Sequence, residues 1–162
     1  MIQMHIQNEK DLYDAYDPSM SRINEDAFRY LKSFFTEKES KKHINDTLQI
    51  ISDKPIDVDT ARMVIKDAAQ RDQDELDEQI ALNKRRAMEG YAIGIVLSVL
   101  GCVLTIVLDQ VLLELISFIG TMAINDAFLI TRRIIPDLRK LRSHIDPLHT
   151  LRVEVLVNEG NK

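Results

Sequence analysis

This chain of 162 residues has few side chains suited to catalysis or metal binding, and they are scattered along the sequence. The nearest grouping is "SHIDPLH", in which His144, Asp146 and His149 offer imidazole and carboxylate ligands. Structural zinc usually takes four ligands and favours cysteine. The single cysteine, Cys102, lies within a long apolar run, where a thiolate is disfavoured. We therefore expect no metal site, no cofactor and no catalytic residue, and we predict that the protein is not an enzyme.

Several basic residues offer a different chemistry, that of holding an anion. A nucleotide phosphate can be bound by such side chains through charge-assisted hydrogen bonds. The alternative is ordinary solvated surface charge, which is favoured for each group taken alone. The ligand candidates are Lys41, Lys42 and His43 before the second predicted strand, Arg62 and Lys66 near the start of a predicted helix, and Arg152 on the last predicted strand.

The elements that position these residues have the pattern of a small α+β unit. "MIQMHI" and "TLRVEVLV" alternate apolar and polar residues, and "TLQIIS" is a short run of the same kind, so we predict three strands. Asn24 is placed to cap a first helix, and a second, long helix is expected to begin at Asp57 or Asp59. Nothing breaks this long helix before Gly90.

Two apolar runs follow and predict a transmembrane hairpin at residues 90–131. Residues 91–108 are uncharged, the pair Asp109-Gln110 interrupts them, and residues 111–130 form the second run. Each run has about the length of a spanning helix. Asp109 and Glu114 are tolerable near an interface but not at the bilayer centre. The competing interpretation is a buried hairpin in a soluble helical dimer, although a soluble core rarely runs this long without a charged face.

Basic residues flank both runs and predict the orientation of the hairpin. No Lys, Arg or His occurs between Gly90 and Thr131. Because positive charge accumulates on the cytoplasmic side, we expect both termini in the cytoplasm. The domains are then 1–89, 90–131 and 132–162, the last with an amphipathic helix that either lies on the lipid or extends the second rod. The flanking residues are Lys84, Arg85, Arg86, Arg132 and Arg133.

Small and polar residues share one side of each predicted membrane helix. Such seams let membrane helices approach closely. We favour the interpretation that they join the two arms of the hairpin; the sharper alternative is that in an oligomer the line from Glu114 to Asn125 faces a water-filled path. The residues are Gly94, Ser98, Gly101, Thr105 and Asp109 on the first helix, and Glu114, Ser117, Thr121 and Asn125 on the second.

The net charge of -5 argues against nucleic acid as a partner. The expected fold class is an α+β cytosolic domain of three short strands and two helices. A two-helix transmembrane hairpin is inserted before the last strand. The expected partners are the lipid bilayer, further copies of the chain and a nucleotide-like anionic ligand.

The order of these features resembles a family of small, uncharacterised bacterial two-transmembrane proteins. The resemblance is carried by "YDAYDPSM", "TLQII", the long charged helix, "TRRIIPDLRKLR" and "LRVEV", although "DAFLITRR" stands where the family has aromatic residues. The layout is also similar to two-transmembrane-plus-β effectors of anti-phage systems. That resemblance implies a cytosolic domain that senses a cyclic nucleotide and a membrane part that injures the cell's own membrane. A non-catalytic membrane scaffold that docks a protein partner is the alternative.

Overall fold

The computed structural model describes residues 2–6, 9–17, 19–37, 47–53, 55–104 and 109–157. Most of these residues are helical. In chain order the elements are β1 (Ile2–Ile6), α1 (Glu9–Leu12), α2 (Glu25–Glu37), β2 (Thr47–Ser52), α3 (Val58–Leu104), α4 (Gln110–Leu129), a π-helical turn (Ile130–Ile134), α5 (Ile135–His149) and β3 (Arg152–Val157).

The three strands form one parallel sheet, with β2 between β1 and β3. Leu48 is paired with Ile2 on one side and with Val153 on the other. All three of these side chains are buried, whereas the residues next to them along β1 and β3, such as Gln3 and Glu154, are exposed. The prediction of three strands is therefore confirmed. The short helix α1 is an addition to the predicted elements.

Capping residues fix the starts of the two helices that pack in this part of the molecule. The Asn24 side chain accepts a hydrogen bond of 2.9 Å from the backbone N–H of Asp26 at the start of α2. Asp57 precedes α3 and accepts hydrogen bonds from the hydroxyl and the backbone N–H of Thr60. These two bonds hold the pKa of Asp57 below its ordinary value. Both predicted helix starts are confirmed.

Two long helical runs occupy most of the chain. The helix α3 continues without interruption for 47 residues. The second run, residues 110–149, comprises α4, the π-helical turn and α5 and forms one continuous helical stretch. The segment after residue 132 therefore continues the helical stretch that begins at Gln110. Of its apolar side chains, Ile135 and Ile145 are buried, whereas Ile134 and Leu141 are 41% and 49% exposed.

The chain divides into two compact units. The first comprises residues 1–75 and 141–162, and the second comprises residues 76–140. The sheet, α1 and α2 belong to the first unit. The two apolar runs belong to the second, and the unit boundaries fall within α3 and α5.

Candidate functional site

Two helical stretches are long and apolar enough to cross a membrane. They lie within residues 58–104 and residues 110–149, where 18-residue windows reach mean hydropathies of 1.9 and 1.6. Only 11% of each window is buried within the chain. The apolar side chains that face outward include Ile95, Val99, Leu115, Phe118 and Met122.

Glycine residues form the contact between the two arms of this hairpin. A methyl group on Gly94 would overlap Cγ1 of Ile124 and would lie 2.9 Å from the carbonyl oxygen of Gly120. A methyl group on Gly90 would lie 3.0 Å from Cβ of Ala127. The backbones of α3 and α4 therefore approach closely, which is how small residues join membrane helices.

The residues that face the hairpin contact are spaced in alternating steps of three and four. Such spacing keeps one side of a helix turned toward a neighbouring helix. Along α3 within the second unit, the buried and half-buried positions include Ile80, Asn83, Ala87, Gly90, Gly94, Leu97, Gly101 and Leu104. Along the second run they include Leu113, Ile116, Gly120, Ala123, Ala127, Ile130, Ile135 and Leu138.

The π-helical turn explains the single irregular step in this pattern. From Ile130 to Ile135 the step is five residues, and the backbone N–H of Ile135 bonds to the carbonyl oxygen of Ile130. A π turn accommodates one extra residue in a helix. Pro136 follows directly and has no N–H to donate, so the α-helical bonding pattern is disrupted here in any case. Because the turn holds one extra residue, Ile135 is buried on the same side of the helical stretch as Ile130, although five positions separate the two.

The predicted seam on α3 lies at the hairpin contact. Gly94 is buried, and Gly101 is half-buried, with its nearest neighbour across the contact at Ile116. The hydroxyl of Ser98 donates a hydrogen bond of 2.8 Å to the carbonyl oxygen of Gly94. Asp109 precedes α4 without a side-chain cap, and Thr105 lies outside the described residues.

The predicted seam on α4 lies on its exposed surface. Glu114, Ser117, Thr121 and Asn125 are all exposed, whereas Gly120 and Ala127 are buried against α3. The Thr121 hydroxyl donates to the carbonyl oxygen of Ser117 at 2.8 Å, and the Glu114 carboxylate accepts from the Gln110 amide at 3.4 Å. The predicted seams omit two residues of the contact, Gly90 on α3 and Ala123 on α4. Gly90 could have been predicted, because it lies four positions before Gly94 and therefore on the same side of the helix.

The basic residues at the base of the hairpin differ in their surroundings. Arg85 pairs with Glu89 at 2.9 Å, and Arg132 lies over the Phe128 ring, 5.6 Å from its centroid. The remaining predicted flanking residues, Arg86, Arg133 and Lys84, are exposed.

The predicted anion-binding residues are only partly described. Arg62 and Lys66 are exposed on α3, and in the described ranges neither forms an ion pair. Arg152 instead approaches Glu154, at 3.9 Å. Lys41, Lys42 and His43 lie outside the described residues. Among the residues that are described, no three His, Cys, Asp or Glu side chains come close enough together to hold a metal ion.

The first unit contains a charged cleft that was not predicted from the sequence. It has a volume of about 230 Å³ and lies between residues 14–25, Phe28 and α3. Arg22 and Arg71 line it, and within the described ranges neither side chain has an ion-pair partner. Four carboxylates line it as well, those of Asp14, Glu25, Asp72 and Glu75. Asp72 pairs with Lys32 at 2.9 Å, and Glu25 pairs with Arg29 at 2.8 Å.

The loop beside this cleft is built on Asp17. Its carboxylate accepts hydrogen bonds from the hydroxyl and backbone N–H groups of Ser19 and Ser21. These bonds, chiefly those from the two hydroxyls, hold the pKa of Asp17 well below its ordinary value. The isolated bridge between Tyr13 and Ile23 closes the loop at its base.

Comparison of the chain with protein-family models, curated proteins and solved structures found no match.

Proposed function

We propose that this protein is an oligomeric effector of the bacterial inner membrane, with both termini in the cytoplasm. In this proposal the first unit receives a signal, perceived as an anionic ligand, and the hairpin responds by changing the permeability of the membrane. Anti-phage defence is the biological setting that the resemblance in layout suggests. The observation that carries the proposal is the exposed polar face of α4.

The exposed apolar surface of the hairpin supports membrane insertion. A helix in the core of a soluble protein is largely buried, whereas 11% of each apolar window is buried here. Soluble monomers rarely expose contiguous apolar surface of this extent. A bilayer covers such surface directly. Basic residues lie before the apolar run of α3 and after that of α4, and this distribution supports the proposed orientation with both termini in the cytoplasm.

The polar face of α4 supports association between copies. Glu114, Thr121 and Asn125 are exposed along a helix whose other outward side chains are mostly apolar. Ionisable and amide side chains that face lipid are costly, so in membrane proteins they face a protein neighbour or water. The partner arm α3 already contacts the adjoining, glycine-rich side of α4. Further copies of the chain are the neighbours that remain, and a ring of such faces encloses a polar path.

The first unit supplies a candidate place for the anionic signal at the exposed pair Arg62 and Lys66 on α3. The cleft that Arg22 and Arg71 line is less suited to an anion, because Asp14, Glu25, Asp72 and Glu75 line it as well. Guanidinium groups bind phosphate in a bidentate manner. The helix α3 passes from this unit into the hairpin without a break, so it provides a continuous connection along which ligand binding acts.

Induced expression in bacteria tests the change in permeability. We expect the wild-type chain to depolarise the membrane and arrest growth, and we expect Glu114→Leu and Asn125→Leu to abolish both effects. Phe118→Leu is the matched control, because Phe118 is an outward apolar residue on the same helix, 62% exposed. The control must retain depolarisation. Cells that keep their membrane potential with the wild-type protein at the same expression level contradict the effector proposal and favour the scaffold.

Labelling tests the topology independently. A cysteine introduced as Asp109→Cys in a Cys102→Ser background should react with a membrane-impermeant maleimide from the periplasmic side only. A cysteine at the exposed position Asp67 is the cytoplasmic control. Reaction of the Asp109 position from the cytoplasmic side alone, or complete extraction of the protein by carbonate, excludes a spanning hairpin.

A further inference from the structure

A second cavity, in the hairpin unit, lies where the two apolar runs end. It has a volume of about 330 Å³, and Lys84 and Arg139 line it together with Met88, Tyr91, Thr131 and Ile135. The cavity therefore lies between α3 and the start of α5, within a single compact unit.

The two cations of this cavity are available to a ligand. In the described ranges neither Lys84 nor Arg139 forms an ion pair or a side-chain hydrogen bond. None of the described residues that line the cavity is acidic. By contrast, the neighbouring Arg85 has its charge satisfied by Glu89, and neither of these two residues lines the cavity.

The apolar part of the lining continues into the membrane-spanning surface. Tyr91 begins the first apolar run, about two helical turns beyond Lys84. Thr131 follows the end of the second run, about two turns before Arg139. One cavity thus joins two cations to an aromatic ring and aliphatic side chains at the level where a headgroup meets acyl chains. Tyrosine is enriched at that level of membranes.

We propose that this cavity binds an anionic phospholipid on the cytoplasmic side of the membrane. Lys84 and Arg139 hold the phosphate, and Met88, Tyr91 and Ile135 contact the glycerol and the first part of the acyl chains. Basic pockets between membrane helices bind anionic headgroups in this way. The site discriminates against zwitterionic lipid, because no carboxylate in the lining balances a headgroup ammonium. The inference rests on insertion of the hairpin in a membrane but not on a change in permeability.

Titration of the detergent-purified, full-length protein with lipid tests the site, with native mass spectrometry as the readout. The probes are phosphatidylglycerol and phosphatidylethanolamine of identical acyl chains. We expect phosphatidylglycerol to bind at least tenfold more tightly. Equal binding of the two lipids overturns the proposal.

Two double variants with the same loss of charge locate the binding. Lys84→Gln with Arg139→Gln should weaken phosphatidylglycerol binding about 25-fold, since each cation near a membrane surface contributes about fivefold. Arg85→Gln with Arg133→Gln is the matched control and should change binding less than threefold. Equal weakening by the two pairs overturns the site, because a general effect of positive charge then accounts for it. Lys84→Arg with Arg139→Lys should retain binding and so confirms that the charges themselves, rather than a loss of fold, are responsible.

A free anion is the other source of the same phosphate chemistry. We expect millimolar inorganic phosphate or glycerol phosphate to leave bound phosphatidylglycerol in place, since these ions lack the acyl chains. Displacement by either ion overturns the assignment to lipid. Flotation with vesicles separates this test from the proposed function: a chain that does not float contradicts membrane insertion and both proposals. A chain that floats without preferring phosphatidylglycerol contradicts only the present one.

Discussion

Gly94 and Gly120 lie against each other where the two arms of the hairpin cross. The carbonyl oxygen of Gly120 is 2.9 Å from the place that a Cβ would take on Gly94, and the carbonyl oxygen of Gly94 is 3.4 Å from the corresponding place on Gly120. Backbone atoms cannot move aside as a flexible side chain can. This contact therefore requires a residue without a side chain on α3.

Substitution of this glycine should weaken the hairpin. We expect Gly94→Ala to lower the free energy of unfolding by about 1–3 kcal/mol, because the methyl group overlaps Ile124 and the neighbouring backbone. Gly101→Ala is the matched control, since its methyl group would be 3.8 Å from Ile116. It should be neutral or stabilising by up to about 1 kcal/mol, as alanine favours helix over glycine. Unfolding in detergent with increasing denaturant measures both, and equal destabilisation of the two variants contradicts the contact.

An ion pair between α2 and α3 should contribute more to stability than one on the surface of α2. Lys32 and Asp72 pair at 2.9 Å with 38% and 25% of their side chains exposed, whereas Arg29 and Glu25 are 67% and 86% exposed. We expect a coupling energy of about 1 kcal/mol for the first pair and below about 0.5 kcal/mol for the second. Double-mutant cycles based on chemical denaturation measure both values. A larger coupling for the exposed pair contradicts this ranking.

The stability of the first unit should depend on the hydrogen-bond acceptor of a buried amide. The Gln73 side chain is 8% exposed and donates a hydrogen bond of 2.7 Å to Asp146. We expect Asp146→Ala to destabilise the fold by about 1–3 kcal/mol, because the amide is left buried without an acceptor. Gln73→Leu combined with Asp146→Ala should restore most of that loss, and Asp67→Ala on the exposed side of α3 is the control. A double variant no more stable than Asp146→Ala alone would contradict the role of this bond.

Much of the fold follows from local sequence patterns, but the orientation of the predicted seams does not. Alternation identifies β1 and β3, and the capping residues Asn24 and Asp57 locate the starts of α2 and α3. A helical wheel places Glu114 and Asn125 on one side of α4, yet it contains no information about which side meets α3. That choice depends on the distant residues Gly90 and Gly94.

The charged cleft and the cavity lined by Lys84 and Arg139 could not be predicted for the same reason. Arg22 and Arg71 are 49 positions apart in the chain, and Lys84 and Arg139 are 55 apart. In each pair one residue belongs to α3 and the other to a segment that only tertiary packing brings near it. Hydrophobic periodicity predicts which residues of one helix or strand are buried. It does not predict which residues of two different elements lie close together.

The Asp17 loop should make stability depend on acid pH. The pKa of Asp17 is held below its ordinary value of 3.8, first by the hydroxyls of Ser19 and Ser21. Because the folded-state pKa is lowered, the stabilisation is complete above the ordinary pKa and is lost as the pH falls through the folded-state value. In Ser19→Ala with Ser21→Ala we expect the Asp17 pKa to rise toward 3.8. Titration of the carboxyl carbon by NMR measures it, and an unchanged midpoint contradicts the assignment.

The π-helical turn should tolerate the deletion of one residue. It holds the extra residue that separates Ile130 from Ile135 by five positions instead of four. Deletion of Arg133 converts the turn to α-helix and leaves Ile130 and Ile135 on the same side of the rod, so the hairpin should keep its thermal stability to within a few degrees. Deletion of Met122, which is 53% exposed in α4, rotates the preceding residues by about 100° against α3 and should unfold the contact. Thermal unfolding and limited proteolysis in detergent compare the two deletions. Equal damage by both would show that the turn does not set the alignment of the two arms.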